Sequence, residues 1–279
     1  MFLKHLELQD FRNYDQLTVD FVSHKVILLG NNAQGKTNLL EAIGLLATGK
    51  SPTATKDADL VRWAKDQAII RSEFDRELTD MRVDMLVRQS GRRAVRIDGM
   101  PQRRIADLFG KMLVVLFRAE DLQLVKGSPA ERRDYLDTML VQLAATHYQH
   151  LHDYQRVLTQ RNSLLRAIGD GAADASQLPD WDAQLVHLAA LVWKRRLALV
   201  EQLSPEVAIW HGRIAENREA LSMRYLPSVE LGPDPAGWEA AMSQALEENR
   251  RKEIARGQTL VGPHRDDMEL LINDRPARV

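Results

Sequence analysis

The residues best suited to chemistry lie between Gly30 and Asn38. Gly30-Asn31-Asn32-Ala33-Gln34-Gly35-Lys36-Thr37 matches Gly-x-x-x-x-Gly-Lys-[Ser/Thr] in full. In that pattern the glycines let backbone N–H groups turn inward as a nest for phosphate. Lys36 is then expected to reach the β/γ-phosphates of a nucleotide. The Thr37 hydroxyl is expected to be a ligand for Mg²⁺, which keeps most of its waters and takes further oxygens from the nucleotide. Such a loop works only between a strand and a helix whose positive end faces the anion. The apolar run Val26 to Leu29 predicts a short buried strand, and the spacing from Asn38 to Leu46 predicts the helix.

Composition bounds what can hold this loop. With 279 residues, 44% of them hydrophobic and 28% charged, the chain can build one large core or two modest ones. It has no cysteine, which excludes a disulfide framework, a Cys-held iron–sulfur cluster and a thiolate zinc site, and suits a reducing compartment. No run approaches the ~18 apolar residues of a membrane span, and Met1-Phe2-Leu3-Lys4-His5 lacks the pattern of a secretory signal. A cytoplasmic location is the resulting expectation. A net charge of -1 gives no global attraction to nucleic acid, so DNA binding would need a local patch. Arg88, Arg92, Arg93, Arg96, Arg103 and Arg104, with Asp98 as the one acid among them, form such a patch.

Alternation predicts a first hairpin from Phe2 to Gln9 and Leu17 to Phe21, and later strands over Ala68 to Phe74, Met81 to Arg88 and Ala94 to Asp98. Asp98-Gly99 is a hairpin turn. Met112 to Phe117 is a continuous apolar run, read as a buried strand; the acids Glu120 and Asp121 follow too late to serve as its terminal metal carboxylate, and their role stays open. Ser128-Pro129-Ala130-Glu131 starts a long helix expected to run to Gly169. A second is expected over Pro179 to Leu203, a third from Ser204-Pro205-Glu206, and a fourth through Trp238 and Leu246, closed by Gly257. His147, His150 and His152 do not share one helix face and are read as surface residues.

The start Leu-x-Leu-x-x-Phe-Arg-Asn-Tyr, the loop Gly-x-Asn-x-x-Gly-Lys-Thr-Asn and the stretch Gly262-Pro263-His264-Arg265-Asp266-Asp267 together resemble the RecF family, within the SMC/ABC-type ATPase heads. The resemblance covers the whole chain. It implies an α/β fold, a mixed sheet with helices, carrying an inserted α-helical arm: residues 1–126 as the nucleotide lobe, 127–256 as the arm and 257–279 as a return strand into the head. It also implies that Arg12 reaches back to the nucleotide phosphates, that the cofactors are ATP and Mg²⁺, and that an ATP-dependent homodimer acts on DNA at gaps with RecO and RecR. The family's signature segment and Walker B strand would follow Val279, so no complete catalytic set is expected. Two functions are consistent with this: a RecF-like DNA repair and replication factor, or a nucleotide-binding head serving as a structural or partner-binding module without ATPase activity. A small-molecule kinase would need neither the helical insertion nor the Gly262 motif.

Overall fold

The computed structural model describes residues 1–76 and 79–278. Its contacts divide the chain into two compact units, Met1–Leu116 and Phe117–Val279. Residues 117–126, expected with the nucleotide lobe, fall in the second unit. Residues 257–278 fall there as well, and Val279 lies outside the described residues.

The first unit is a six-stranded antiparallel sheet in the order β2-β1-β3-β4-β5-β6. Its strands are β1 (Phe2–Phe11), β2 (Tyr14–Asp20), β3 (Gln67–Asp75), β4 (Met81–Arg88), β5 (Ala94–Ile97) and β6 (Met100–Pro101). Period-two alternation decides the faces. Leu6, Leu8, Ala68, Ile70, Val83, Met85, Val87 and Val95 turn inward, where they enclose Leu39, Ala42, Leu45 and Leu46 of helix α1 (Lys36–Thr48). The outward row Glu7, Arg71, Asp84 and Arg96 places opposite charges side by side across four strands. At the β5–β6 turn, positive φ at Asp98 and Gly99 suits the right-handed twist of a two-residue hairpin.

Two expected strands are not formed. The segments 26–30 and 112–117 have no ladder partner among the described residues, and a run buried on both faces needs neighbours to satisfy its backbone. Val26, Ile27 and Leu29 are therefore exposed. Met112 turns inward, and Leu116 lies so close to Gly44 of α1 that a Cβ there would be 2.5 Å from its Cδ1. Leu113 and Val115 face out.

The second unit packs α2 (Gln123–Lys126), α3 (Pro129–Leu143), α4 (Ala145–Gly169), α5 (Leu178–Ile214) and α6 (Trp238–Arg256) against a small antiparallel sheet, β7 (Leu221–Leu226), β8 (Asp267–Ile272) and β9 (Arg275–Pro276). The strand expected to return into the head has β7 and β9 as its partners here. The helix expected from Pro129 to Gly169 is broken at Ala144, whose φ of -151° is extended. The break lets α4 fold back on α3, and it buries His147 completely, with Nε2 3.2 Å from Asp137 Oδ1; His147 is a core residue, not a surface one. In contrast, Ser204-Pro205 does not start a new helix. Pro205 sits inside α5, and Leu203 and Val207 on either side of it both pack on the second core, which offsets the lost backbone hydrogen bond.

Candidate nucleotide site

The loop Gly30 to Gly35 takes its shape from three residues in or near left-handed backbone: Gly30 at φ 154°, Ala33 at 64° and Gly35 at 100°. Gly35 caps α1, so the first N–H groups of that helix open toward the loop. Lys36 crosses the loop, and its ammonium donates to the carbonyls of Gly30 at 2.5 Å and Asn31 at 2.7 Å. Thr37 is exposed in the first turn of the helix, and Asn31, Asn32, Ala33 and Gln34 are exposed along the loop. The donor set, the first amides of α1 with one ammonium and one hydroxyl, fits a triphosphate with Mg²⁺. No cluster of three or more His, Asp or Glu suited to a metal occurs among the described residues, so Thr37 would share the ion with water and phosphate oxygens.

The β1–β2 turn abuts this loop. Asn38 Nδ2 donates to Asn13 Oδ1 at 2.8 Å. A Cβ on Gly35 would lie 2.7 Å from Asn13 Oδ1 and 2.8 Å from the Tyr14 ring, so glycine is needed there for close approach as well as for φ. Arg12, expected at the phosphates, is placed on Glu41 of α1: its Nε and Nη2 donate to the two carboxylate oxygens at 2.7 and 2.6 Å, and Nη1 donates to the Asp59 carbonyl at 2.7 Å. Burial alone would raise the Glu41 carboxyl, but hydrogen bonds from Arg12, Ser51 and Thr53 outweigh it and hold the group below the usual carboxylate range. Glu41, Asn13, Tyr14, Ser51 and Thr53 escaped the sequence reading. One signal was available: Glu41 is the sole acid in the helix after the loop.

The arginine patch separates into two groups. Arg93 is fastened, with Nε and Nη2 donating to Asp57 at 2.8 and 2.5 Å and Nη1 donating to the Gly49 carbonyl at 2.6 Å. Arg96 stands opposite Asp84 in the outer charge row. Arg88, Arg92, Arg103 and Arg104 are exposed, and among the described residues their side chains form no ion pair; Arg88 Nη1 donates to the Arg92 carbonyl at 2.8 Å, and the Arg104 backbone donates to Asp107 at 3.0 Å. Glu120 is exposed, while Asp121 caps a short 3₁₀ turn by accepting from the Arg118 backbone at 2.8 Å, a structural role.

The Gly262–Asp267 stretch is a buried polar knot in the second unit. Asp266 accepts from Trp193 Nε1 and the Tyr225 hydroxyl at 2.6 Å each and from the Ser228 backbone at 2.7 Å. The Tyr154 hydroxyl lies 2.7 Å from His264 Nδ1. Burial, reinforced by Arg265, Arg133 and Arg161, lowers His264 to about 4 against a hydrogen bond to the Thr259 carbonyl that acts the other way.

An α/β sheet over a helix that begins at such a loop defines a P-loop ATPase head. Residues 5–143 match the AAA domain family. Curated relatives named DNA replication and repair protein RecF align over the whole chain: 41% identity in Gloeobacter violaceus, covering 75% of that protein, and 43% in Synechococcus sp., covering 74%. Two solved structures, titled as the recombination mediator protein RecF with ATP and with ATPrS in the RecFOR pathway, superpose with a TM-score of 0.94 at 27% identity; they cover 99% and 100% of this chain, which spans 74% and 75% of theirs. The chain belongs to the RecF family.

Proposed function

We propose that this protein is an ATP-dependent DNA-binding factor of DNA repair and replication, a recombination mediator that acts at single-strand gaps. The observation that carries the nucleotide part is the loop itself, three left-handed positions and a cross-loop lysine at the N-terminus of a 13-residue helix. Gly30 to Thr37 cradle the phosphates, Asn38 ties the helix start to the β1–β2 turn, and Thr37 supplies the oxygen for Mg²⁺. Arg88, Arg92, Arg103 and Arg104 contact DNA phosphates without reading sequence, and Arg93 and Arg96 stabilise the strands that carry them. RecO, RecR and a second copy of the chain in the ATP state are the partners of this reading, which is supported by the similarity to a solved recombination mediator protein RecF of the RecFOR pathway.

A second reading is a nucleotide-binding module without turnover. Its supporting observation is the exposed apolar side chains Val26, Ile27, Leu29, Leu113 and Val115, which suit contact with a protein partner.

The test is binding of a fluorescent ATP analogue with Mg²⁺ to the chain and to Lys36→Ala, at low and moderate salt, with and without gapped duplex DNA. Lys36-dependent binding that DNA strengthens supports the mediator reading. Lys36-dependent binding indifferent to DNA supports the module, and equal binding by both proteins refutes the site.

A further inference from the structure

Glu41 carries more hydrogen bonds than the fold of its helix requires. It lies in the second turn of α1, 2% exposed, and its carboxylate accepts from Arg12 twice, from Thr53 Oγ1 at 2.6 Å and from the Ser51 hydroxyl. Arg12 Nη2 also donates to Thr53 Oγ1 at 2.8 Å, so cation, acid and hydroxyl close a ring. The guanidinium side chain keeps 21% exposure where the carboxylate keeps 1%, which makes Arg12 the accessible member of the pair.

Anchoring the β1–β2 turn does not need this pair. Phe11 is fully buried and bridges Val61, the Arg12 backbone donates to the Leu60 carbonyl at 2.9 Å, and the Arg62 backbone donates to that of Asp10 at 2.8 Å. Burying an ion pair carries a desolvation penalty that well-packed apolar residues avoid, so stability alone is a poor reason for one here. What the pair does fix is direction. It sets the Arg12 side chain and, through the adjacent Asn13, the contact with Gly35 and Asn38 at the phosphate loop.

We propose that Glu41, assisted by Ser51 and Thr53, is a positioning residue of the nucleotide site: it holds the Arg12-Asn13 turn in register with the loop. This rests on the nucleotide reading above. The experiment measures affinity for a fluorescent ATP analogue with Mg²⁺, and the thermal midpoint, for the full chain and for Glu41→Gln, Arg12→Gln, the double variant, Thr53→Val and Lys36→Ala. Glu41→Gln and Arg12→Gln should each weaken binding about tenfold, the double variant no more than either alone, and Thr53→Val about threefold, because groups in one network do not add. Wild-type affinity in folded Glu41→Gln, or fully additive losses in the double variant, overturns the proposal. Should Glu41→Gln fail to fold, Thr53→Val decides by the same criterion. Unchanged binding by Lys36→Ala, or none by the unaltered chain, removes the nucleotide reading itself; loss in Lys36→Ala with wild-type affinity in Glu41→Gln removes only the positioning role.

Discussion

Replacing Asp266 tests whether the Gly262–Asp267 stretch stabilises the second unit. Asp266 is 1% exposed, and its side chain accepts three buried hydrogen bonds, from Trp193, Tyr225 and the Ser228 backbone. Asp266→Ala strands all three donors. Hydrogen bonds to a charged acceptor contribute about 1.5–3 kcal/mol each, so the upper bound is roughly 9 kcal/mol, and since a rotatable hydroxyl can find another partner a loss of about 4–6 kcal/mol is expected. Asp266→Asn keeps the shape but sets an N–H₂ against at least one N–H or hydroxyl donor, for a loss of about 2 kcal/mol. Urea unfolding followed by tryptophan fluorescence is the assay, because four of the five tryptophans, Trp181, Trp193, Trp210 and Trp238, lie in this unit. The midpoint should fall in the order wild type, Asn, Ala at constant slope. An Asp266→Ala midpoint equal to wild type would refute the account.

His264 gives the pH dependence a sign. Its folded value, about 4, lies below the ordinary 6.5, so its contribution is fully present above pH ~6.5 and is lost as pH falls toward ~4, of order 3 kcal/mol in all; urea midpoints from pH 7 to 4.5 should fall less steeply in His264→Gln than in wild type. Arg132, 1% exposed, donates to Asp267 at 2.7 Å and to the Gly127 carbonyl at 2.8 Å; because Asp267 keeps Arg278 as a second cationic partner, Arg132→Ala should cost about 2–3 kcal/mol, read as a lower thermal midpoint. Gly49→Ala forces a Cβ 2.9 Å from Ile105 at φ 66° and should destabilise the first unit by about 1–3 kcal/mol, measured by calorimetry. Arg93→Ala should lower the thermal midpoint and leave DNA affinity unchanged, whereas Arg92→Ala or Arg104→Ala should leave the midpoint unchanged and reduce the salt slope of DNA binding by about 1.

Local patterns were legible wherever one element decides its own state. The phosphate loop, the helix after it, the β3 to β5 meander and the capped start of α3 all follow from spacing and turn chemistry that act over a few residues. No helix among the described residues is long and apolar enough to cross a membrane. Elements that depend on a neighbour were not legible. The apolar runs at Val26 and Met112 read as strands, yet a strand exists only by its ladder; Pro205 reads as a helix start, yet packing on both sides carries the helix through it. The fork of Arg12 on Glu41, 29 residues apart, and of Arg93 on Asp57, 36 apart, likewise needed the folded chain. The sequence by itself determined that a nucleotide loop is present and which family's motifs surround it. Tertiary structure decided which arginines are committed to acids and which face solvent, because pairing of charges is set by distance across strands and helices and leaves no local trace.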